Sequence, residues 1–315
     1  MSDKPDISVI VLTYNSSKTI RRTLDSIIQQ QTNYTFEILV ADDCSQDNTR
    51  TLINEYKNIY PLKIIPIFNT FNKGVVKNFF DTFTLCKADY VMCCAGDDWW
   101  LPGKVTKQLD FMKKNPDTGL SYTRAKLYLD DKNKFSSNVG FDCTTFEKML
   151  YRGGGAIPTA TECFKKSEME KYLNEIQPLT HNWLMEDYPA WLWFAKNSKI
   201  VFLNDVTAVY RIVKKSVSHS NNLETNYKFF QNSLEVQIFY SNLYNVPFSI
   251  NKEDFDFNFY FAQLNNAGWS KVITKKVKEL YKLKHNKTVK DFIKFIAVHN
   301  VVIYKILMKL YRIIG

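Results

Sequence analysis

With 315 residues, 45% of them hydrophobic and 15% aromatic, the chain is long and apolar enough for one large α/β domain plus a smaller appendage, which excludes a disordered polypeptide. Its net charge of +10 is concentrated at one end, since residues 271–315 hold 12 Lys and Arg against two acids, Glu279 and Asp291. A nucleic-acid enzyme would carry positive charge around its binding face, so this placement argues against nucleic acid and toward an anionic surface.

In chain order, Ile7–Leu12 is a short β-branched apolar run, predicted as a buried parallel strand and ended by Thr13, Tyr14 and Asn15. Ser16 or Ser17 is expected to cap a helix reaching about Gln30. Phe36–Ala41 is a second strand, closed by Asp42 and Asp43, and a helix from about Asn48 to Asn58 follows. Leu62–Phe68 is a third strand, Gly74–Cys86 a helix and Tyr90–Ala95 a fourth strand, closed by Asp97 and Asp98. Alternation of strand and helix predicts a parallel sheet whose ligand crevice lies at the carboxyl ends of the strands. Further on, strands are expected at Leu120–Leu129, Ile157–Phe164 and Ile200–Tyr210, with a Trp-rich helix at Glu186–Ala195. Beyond about Leu223 the pattern is helical to the end.

The six cysteines lack metal-ligand spacing and are predicted to be reduced and buried. The N-terminus shows no long apolar region and no window is apolar enough to span a bilayer, which leads to the expectation of a cytoplasmic protein, peripheral at most on the inner face of the plasma membrane.

Three acid pairs carry the chemistry. Asp97 and Asp98 are adjacent carboxylates at a strand end, costly unless a cation lies beside them; a divalent metal carrying a diphosphate meets that need, and helix capping near Pro102 is the alternative. One of Asp42 and Asp43 can accept a hydrogen bond from a base N–H or a ribose hydroxyl, or simply shape the turn. Glu186 and Asp187 open an aromatic helix, where an acid either complements the helix dipole or serves as a base with a tuned pKa. Gly74 allows close backbone approach to a ligand and Lys77 can lie near phosphate, or be a solvated helix residue. No Walker A or G-x-G-x-x-G pattern occurs, which counts against nucleoside-triphosphate hydrolysis and dinucleotide binding.

Taken together, S-V-I-V-L-T-Y-N (8–15), E-I-L-V-A-D-D-C-S (37–45), N-T-F-N-K-G-V-V-K-N (69–78), A-D-Y-V-M-C-C-A-G-D-D-W-W-L-P-G-K (88–104) and E-D-Y-P-A-W-L-W (186–193) resemble the family 2 glycosyltransferases of GT-A fold, over roughly residues 6–215. The resemblance implies an α/β domain at 1–222, with a nucleotide-sugar-binding half (1–118) and an acceptor-side half (119–222), followed by a basic helical extension at 223–315. It implies transfer of a sugar from a nucleoside diphosphate sugar, a UDP-sugar being the expected donor, to a glycan or lipid-linked glycan hydroxyl, most often with inversion, in polysaccharide biosynthesis. Tyr14 would stack on the base, with Thr13 and Asn15 shaping its pocket. Asp43 would hydrogen-bond the base with Asp42 behind it. Asp97 would face ribose or metal, Asp98 would ligate Mn²⁺ or Mg²⁺, Lys77 would lie near the diphosphate, and Asp187 would be the general base. Many relatives have a His after the strand equivalent to Val206–Ile212; here either His219 takes that role or Arg211, Lys214 and Lys215 neutralise phosphate instead. A sugar nucleotidyltransferase would carry a Gly-rich basic loop after the first strand, where this chain has T-Y-N-S-S-K, and a catalytically silent module would be expected to lose acids that are all present.

For the tail, one continuous helical wheel places Lys294, Lys305, Lys309 and Arg312 on one side, with Phe295, Ile296, Val302, Ile303, Ile306, Leu310 and Ile313 mainly elsewhere. That pattern fits a helix lying on an anionic bilayer, or one packed on the protein with its Lys face solvated.

Overall fold

Ile7–Thr13 (β1) is buried almost throughout, and neighbours on both edges explain why its sequence is apolar without alternation. Phe36–Asp42 (β2) and Tyr90–Ala95 (β4) pair with it in parallel, and Ile64–Phe68 (β3) extends the sheet beyond β2. The helices between these strands are Ile20–Ile28 (α1), Thr49–Ile59 (α2) and Val75–Phe83 (α3). Trp99–Trp100 (β5), Lys104–Lys114 (α4), Thr118–Leu129 (β6), Lys134–Val139 (β7), Phe146–Arg152 (α5), Cys163–Lys165 (β8), Lys166–Ile176 (α6), Asp187–Asn197 (α7) and Lys199–Ile212 (β9) follow.

The strand order is β3-β2-β1-β4-β8-β6-β9-β5, with β7 paired to β6. β8 is antiparallel to both β4 and β6, and β9 is parallel to β6. The C-terminal ends of β1, β2, β4 and β9 and the residues leading into β8 therefore share one edge of the sheet.

This computed structural model describes residues 4–212, 222–266 and 269–314, and the chain divides into two units: residues 1–213 with 232–246, and residues 214–231 with 247–315. Leu223–Leu243 (α8) contributes its second half to the first unit. There Asn232 accepts from the Leu184 amide (2.7 Å) and donates to the Asn182 carbonyl (3.1 Å), fixing the segment that leads into α7. In the second unit, Lys252–Asn266 (α9) and Lys271–Leu283 (α10) bury Phe257, Phe261, Val277 and Leu280 together, and Val289–Ala297 (α11) and Val301–Ile314 (α12) add Ala297, Val298 and Tyr304.

Three expectations need correction. The first helix begins at Ile20, because Thr49 Oγ1 (2.8 Å) and Asp47 Oδ2 (3.0 Å) hold the amides of Ser16 and Ser17 in a turn. Ile157–Phe164 is not one strand: the Thr161 amide and hydroxyl both donate to the Pro158 carbonyl, closing a 3₁₀ turn ahead of β8. The basic tail is not a single helix. Asn300 accepts from the Val302 amide (2.7 Å) and starts α12 anew, so one wheel does not apply across it. Lys294 is also half-buried rather than solvated, donating to Asn258 at 2.6 Å.

Candidate active site

At the sheet edge, the Asp43 amide donates to the Thr13 carbonyl (2.9 Å) and the Gly96 amide to the Leu12 carbonyl (2.8 Å), which ties the ends of β1, β2 and β4 together. Gly96 has to be glycine: a Cβ there would lie 2.8 Å from Thr13 Oγ1. Thr13 Oγ1 is buried and has no hydrogen-bond partner. Asn15 turns the chain with φ +52° and accepts from the Gln46 amide (2.8 Å), while Tyr14 projects with 50% of its surface exposed.

The acids that close β2 are well supplied with donors by the protein. Asp42 is fully buried and binds Arg50 Nε at 2.5 Å, the Ser45 amide at 3.0 Å and the Ser45 hydroxyl. Asp43 Oδ1 accepts from Asn69 Nδ2 (3.0 Å) and the Lys73 amide (2.8 Å), and Oδ2 from the Gly74 amide (2.9 Å). Gly74 makes that last bond with a positive φ of +79°, a conformation that suits glycine. Lys77 lies on α3 with its ammonium on Asp81 at 2.9 Å, an acid it shares with Lys73 (2.7 Å).

The acids after β4 are different. Asp98 is 2% exposed, and one oxygen accepts from the Arg211 amide at 2.8 Å. Burial raises both Asp97 and Asp98, and Asp97 beside it pushes Asp98 further above the ordinary aspartate range. Around them stands a cation–aromatic cluster that the sequence did not signal. The Arg22 guanidinium lies 3.4 Å from the Trp99 ring centre; that of Arg211 lies 5.3 Å from Trp99 and 5.4 Å from Tyr128 and pairs with Asp130 at 2.8 Å. Arg211 Nε is buried without a hydrogen-bond partner. His219, Lys214 and Lys215 lie outside the described residues.

Asp187 opens α7. Its Oδ1 accepts from the Tyr188 amide (2.6 Å) and its Oδ2 from Thr159 Oγ1 (3.1 Å). Burial raises both Glu186 and Asp187, and the neighbouring Asp187 charge raises Glu186 to about 8. Gly154 packs on the Tyr188 ring, where a Cβ would come within 3.1 Å, so the chain passes close to the start of α7 there. Sequence reasoning missed Glu162, buried on the approach to β8, whose Oε2 accepts from Trp191 Nε1 at 2.8 Å. All six cysteines are free, and all but Cys44 are buried.

An α/β sheet with its acids at the strand ends and a cation–aromatic cluster beside them forms an open-sheet crevice of the kind in which α/β proteins hold their ligands. Residues 8–164 match the model of glycosyl transferase family 2, and through that stretch the chain belongs to this family. Among solved structures, it is similar to S. aureus TarS 1-349 in complex with UDP-GlcNAc, with TM-score 0.55, 17% identity and coverage of 93% of this chain and 79% of that one. It is also similar to the mannosyltransferase PcManGT from Pyrobaculum calidifontis in complex with GDP-Man and Mn²⁺, with TM-score 0.53, 13% identity and coverage of 91% and 77%. These likenesses establish the GT-A fold. An uncharacterized protein of Mycobacterium tuberculosis is 34% identical over 131 residues, 41% of this chain and 38% of that protein, so the match spans well under half of that relative. The Escherichia coli UDP-Glc:alpha-D-GlcNAc-diphosphoundecaprenol beta-1,3-glucosyltransferase WfgD is 26% identical over 215 residues, 67% of this chain and 79% of that enzyme.

Proposed function

We propose that the protein transfers a sugar from a nucleoside diphosphate sugar, a UDP-sugar, to a hydroxyl of a lipid-linked glycan, with inversion, in polysaccharide biosynthesis. The observation that carries this reading is the under-compensated pair Asp97–Asp98 at the end of β4 in a family 2 chain. Two adjacent raised carboxyls, Asp98 taking the Arg211 amide at 2.8 Å, fit a divalent cation, Mn²⁺ or Mg²⁺. Among the described residues no group of three His, Cys, Asp or Glu side chains is arranged to hold a metal, so the donor diphosphate and water would complete the ligand set. A cation bound there supplies neutralisation of the charge that grows on the departing diphosphate.

The chain's own residues have separable tasks. Exposed Tyr14 offers a ring to the base, with Thr13 and Asn15 shaping the pocket. Asp43 Oδ2 carries a single bond and keeps a lone pair for a base N–H, and Asp42 holds the turn behind it. Arg211 and Lys77 add positive charge for the diphosphate. Asp187 accepts the acceptor's hydroxyl proton as the hydroxyl oxygen bonds to the anomeric carbon and the bond from that carbon to the diphosphate oxygen breaks, its electron pair leaving with the diphosphate. A raised Asp187 is a stronger base than an ordinary aspartate, which suits removal of a sugar proton.

The tail suits an anionic membrane carrying such an acceptor. Its exposed surface carries apolar side chains among basic ones: Val289, Phe292 and Ile296 of α11 and Val302, Ile303 and Ile306 of α12 are exposed, as are Lys290 and Lys305. No helix of the described residues is long and apolar enough to cross a membrane. Release of free nucleoside diphosphate from a panel of nucleotide sugars, with and without a diphosphoprenol-linked glycan, tests the reaction. Acceptor-dependent release of UDP is expected; a nucleoside triphosphate as the consumed substrate would mean a nucleotidyltransferase, and no turnover of any donor would mean a silent module. Co-flotation of the full chain with phosphatidylglycerol vesicles, lost in F292S/I296S/I306S, tests the tail, and no flotation of the parent at low salt contradicts it.

A further inference from the structure

We infer that Thr159 and Glu162, on the turn leading into β8, are positioning residues for Asp187: the turn grips α7 at two points and so fixes and tunes the base. This rests on the reading of Asp187 as the acceptor's general base.

The grip follows from how the turn ends. Thr159 opens the 3₁₀ turn Thr159–Thr161, Glu162 is the extended residue just after it and donates its amide to the Thr159 carbonyl at 3.3 Å, and Asp187 and Trp191 are four apart on one face of α7. Thr159 Oγ1 donates to Asp187 Oδ2 at 3.1 Å, and Trp191 Nε1 donates to Glu162 Oε2 at 2.8 Å. The turn is itself braced. Gln108 Nε2 of α4 donates to the Thr161 carbonyl at 2.8 Å, and Gln108 is held by the fully buried Lys104, whose ammonium sits 5.1 Å from the Trp100 ring centre. Placing Asp187 with one oxygen on its own helix amide and the other on Thr159 leaves little freedom to rotate about its side-chain bonds.

Glu162 is 4% exposed, which is unusual for a glutamate unless it has a task or a cation. Burial raises it to about 7; the Trp191 and Cys93 hydrogen bonds oppose the rise and the Asp187 charge adds to it. The other titratable groups around the base are Glu186 beside it, Tyr172 on α6, and Lys104 on α4, which burial lowers to about 8. Ionisation of Glu162 puts a negative charge near Asp187 and makes it a stronger proton acceptor. The transfer rate should therefore rise with pH in a step set by Asp187 and in a step near Glu162's value of about 7.

The test is the pH profile of kcat and donor KM for Asp187→Asn, Glu162→Gln, Thr159→Val and Trp191→Phe. Asp187→Asn comes first: if it turns over normally, the base assignment fails, separately from this inference. With Asp187 required, Glu162→Gln, which keeps an acceptor for Trp191, should lose the step near pH 7 and fall about tenfold in kcat above it with donor KM unchanged. Thr159→Val removes a hydrogen bond that favours the charged form of Asp187, so the Asp187 step should move to higher pH, with kcat down about tenfold. Trp191→Phe should move the Glu162 step to higher pH, because the bond that lowers Glu162 is gone, and it carries the test if Glu162→Gln does not fold. A Glu162→Gln profile that superimposes on the parent's, or a uniform loss of kcat at every pH with both steps in place, overturns the inference.

Discussion

Two sets of acids meet at one sheet edge and are built in opposite ways. Asp42 and Asp43 at the end of β2 are met by Arg50, two serine groups, Asn69 and the amides of Lys73 and Gly74. Glu37 within β2 is treated likewise, accepting from Ser8 Oγ (2.6 Å) and the Lys87 amide (2.7 Å). The acids after β4 and around α7 have fewer donors and are raised by burial. A carboxylate that the fold supplies with several donors serves the scaffold and its loops, with at most a lone pair left for a ligand, as on Asp43 Oδ2. One that the fold leaves short of donors has room for a cation or a proton, and such perturbed groups cluster where chemistry occurs.

If that contrast holds, substitution should act on rate in one set and on stability in the other. Asp187→Asn should have the largest effect, lowering kcat about 10²–10⁴-fold while donor binding by titration calorimetry stays near the parent's. A folded variant with near-normal kcat would break the contrast on the catalytic side. Asp43→Asn should do the reverse. Its amide would turn a donor toward the Gly74 N–H, so melting temperature should fall by several degrees and donor KM rise about tenfold, with kcat nearly kept. An unchanged melting temperature would mean that the 69–74 loop does not depend on Asp43.

A smaller effect sharpens the same point through pH. The folded-state value of Glu162 is raised, so the folded protein holds this proton up to about 7 while the unfolded chain releases it near 4.5. The folded state binds more protons over that window, and stability falls as pH rises through it. Glu162→Gln should flatten the decline of melting temperature between pH 5 and 7 and leave the variant more stable than the parent above pH 7. An identical slope in parent and variant would show that Glu162 is not raised.

The first part of the sheet was legible because β1, β2 and β4 are short, continuous apolar runs, each ended by polar residues. Tyr14, Asp43 and Asp98 could be singled out for that reason, and Asp187 because it opens an aromatic helix. Glu162 could not, because its partner Trp191 lies 29 residues away and an isolated Glu before a short strand carries no pattern. β5 has two residues and β7 is almost wholly exposed, so neither left a hydrophobic period to read. The cluster of Arg22, Trp99, Tyr128 and Arg211 depends on those strands and was invisible with them. In the tail the helical period was real, but the break at Asn300 and the burial of Lys294 depend on packing that one wheel cannot express.

The most direct test of the account is thermal unfolding of the parent and Asp98→Asn with UDP, each with and without Mn²⁺. The parent should be stabilised by UDP strongly only when Mn²⁺ is present. Asp98→Asn should melt at or above the parent's temperature when free of ligand, because a neutral amide relieves a buried carboxylate, and should lose the Mn²⁺-dependent gain. An Asp98→Asn protein that folds and keeps that gain in full would contradict the assignment of Asp98 and, with it, the distinction between the two sets of acids.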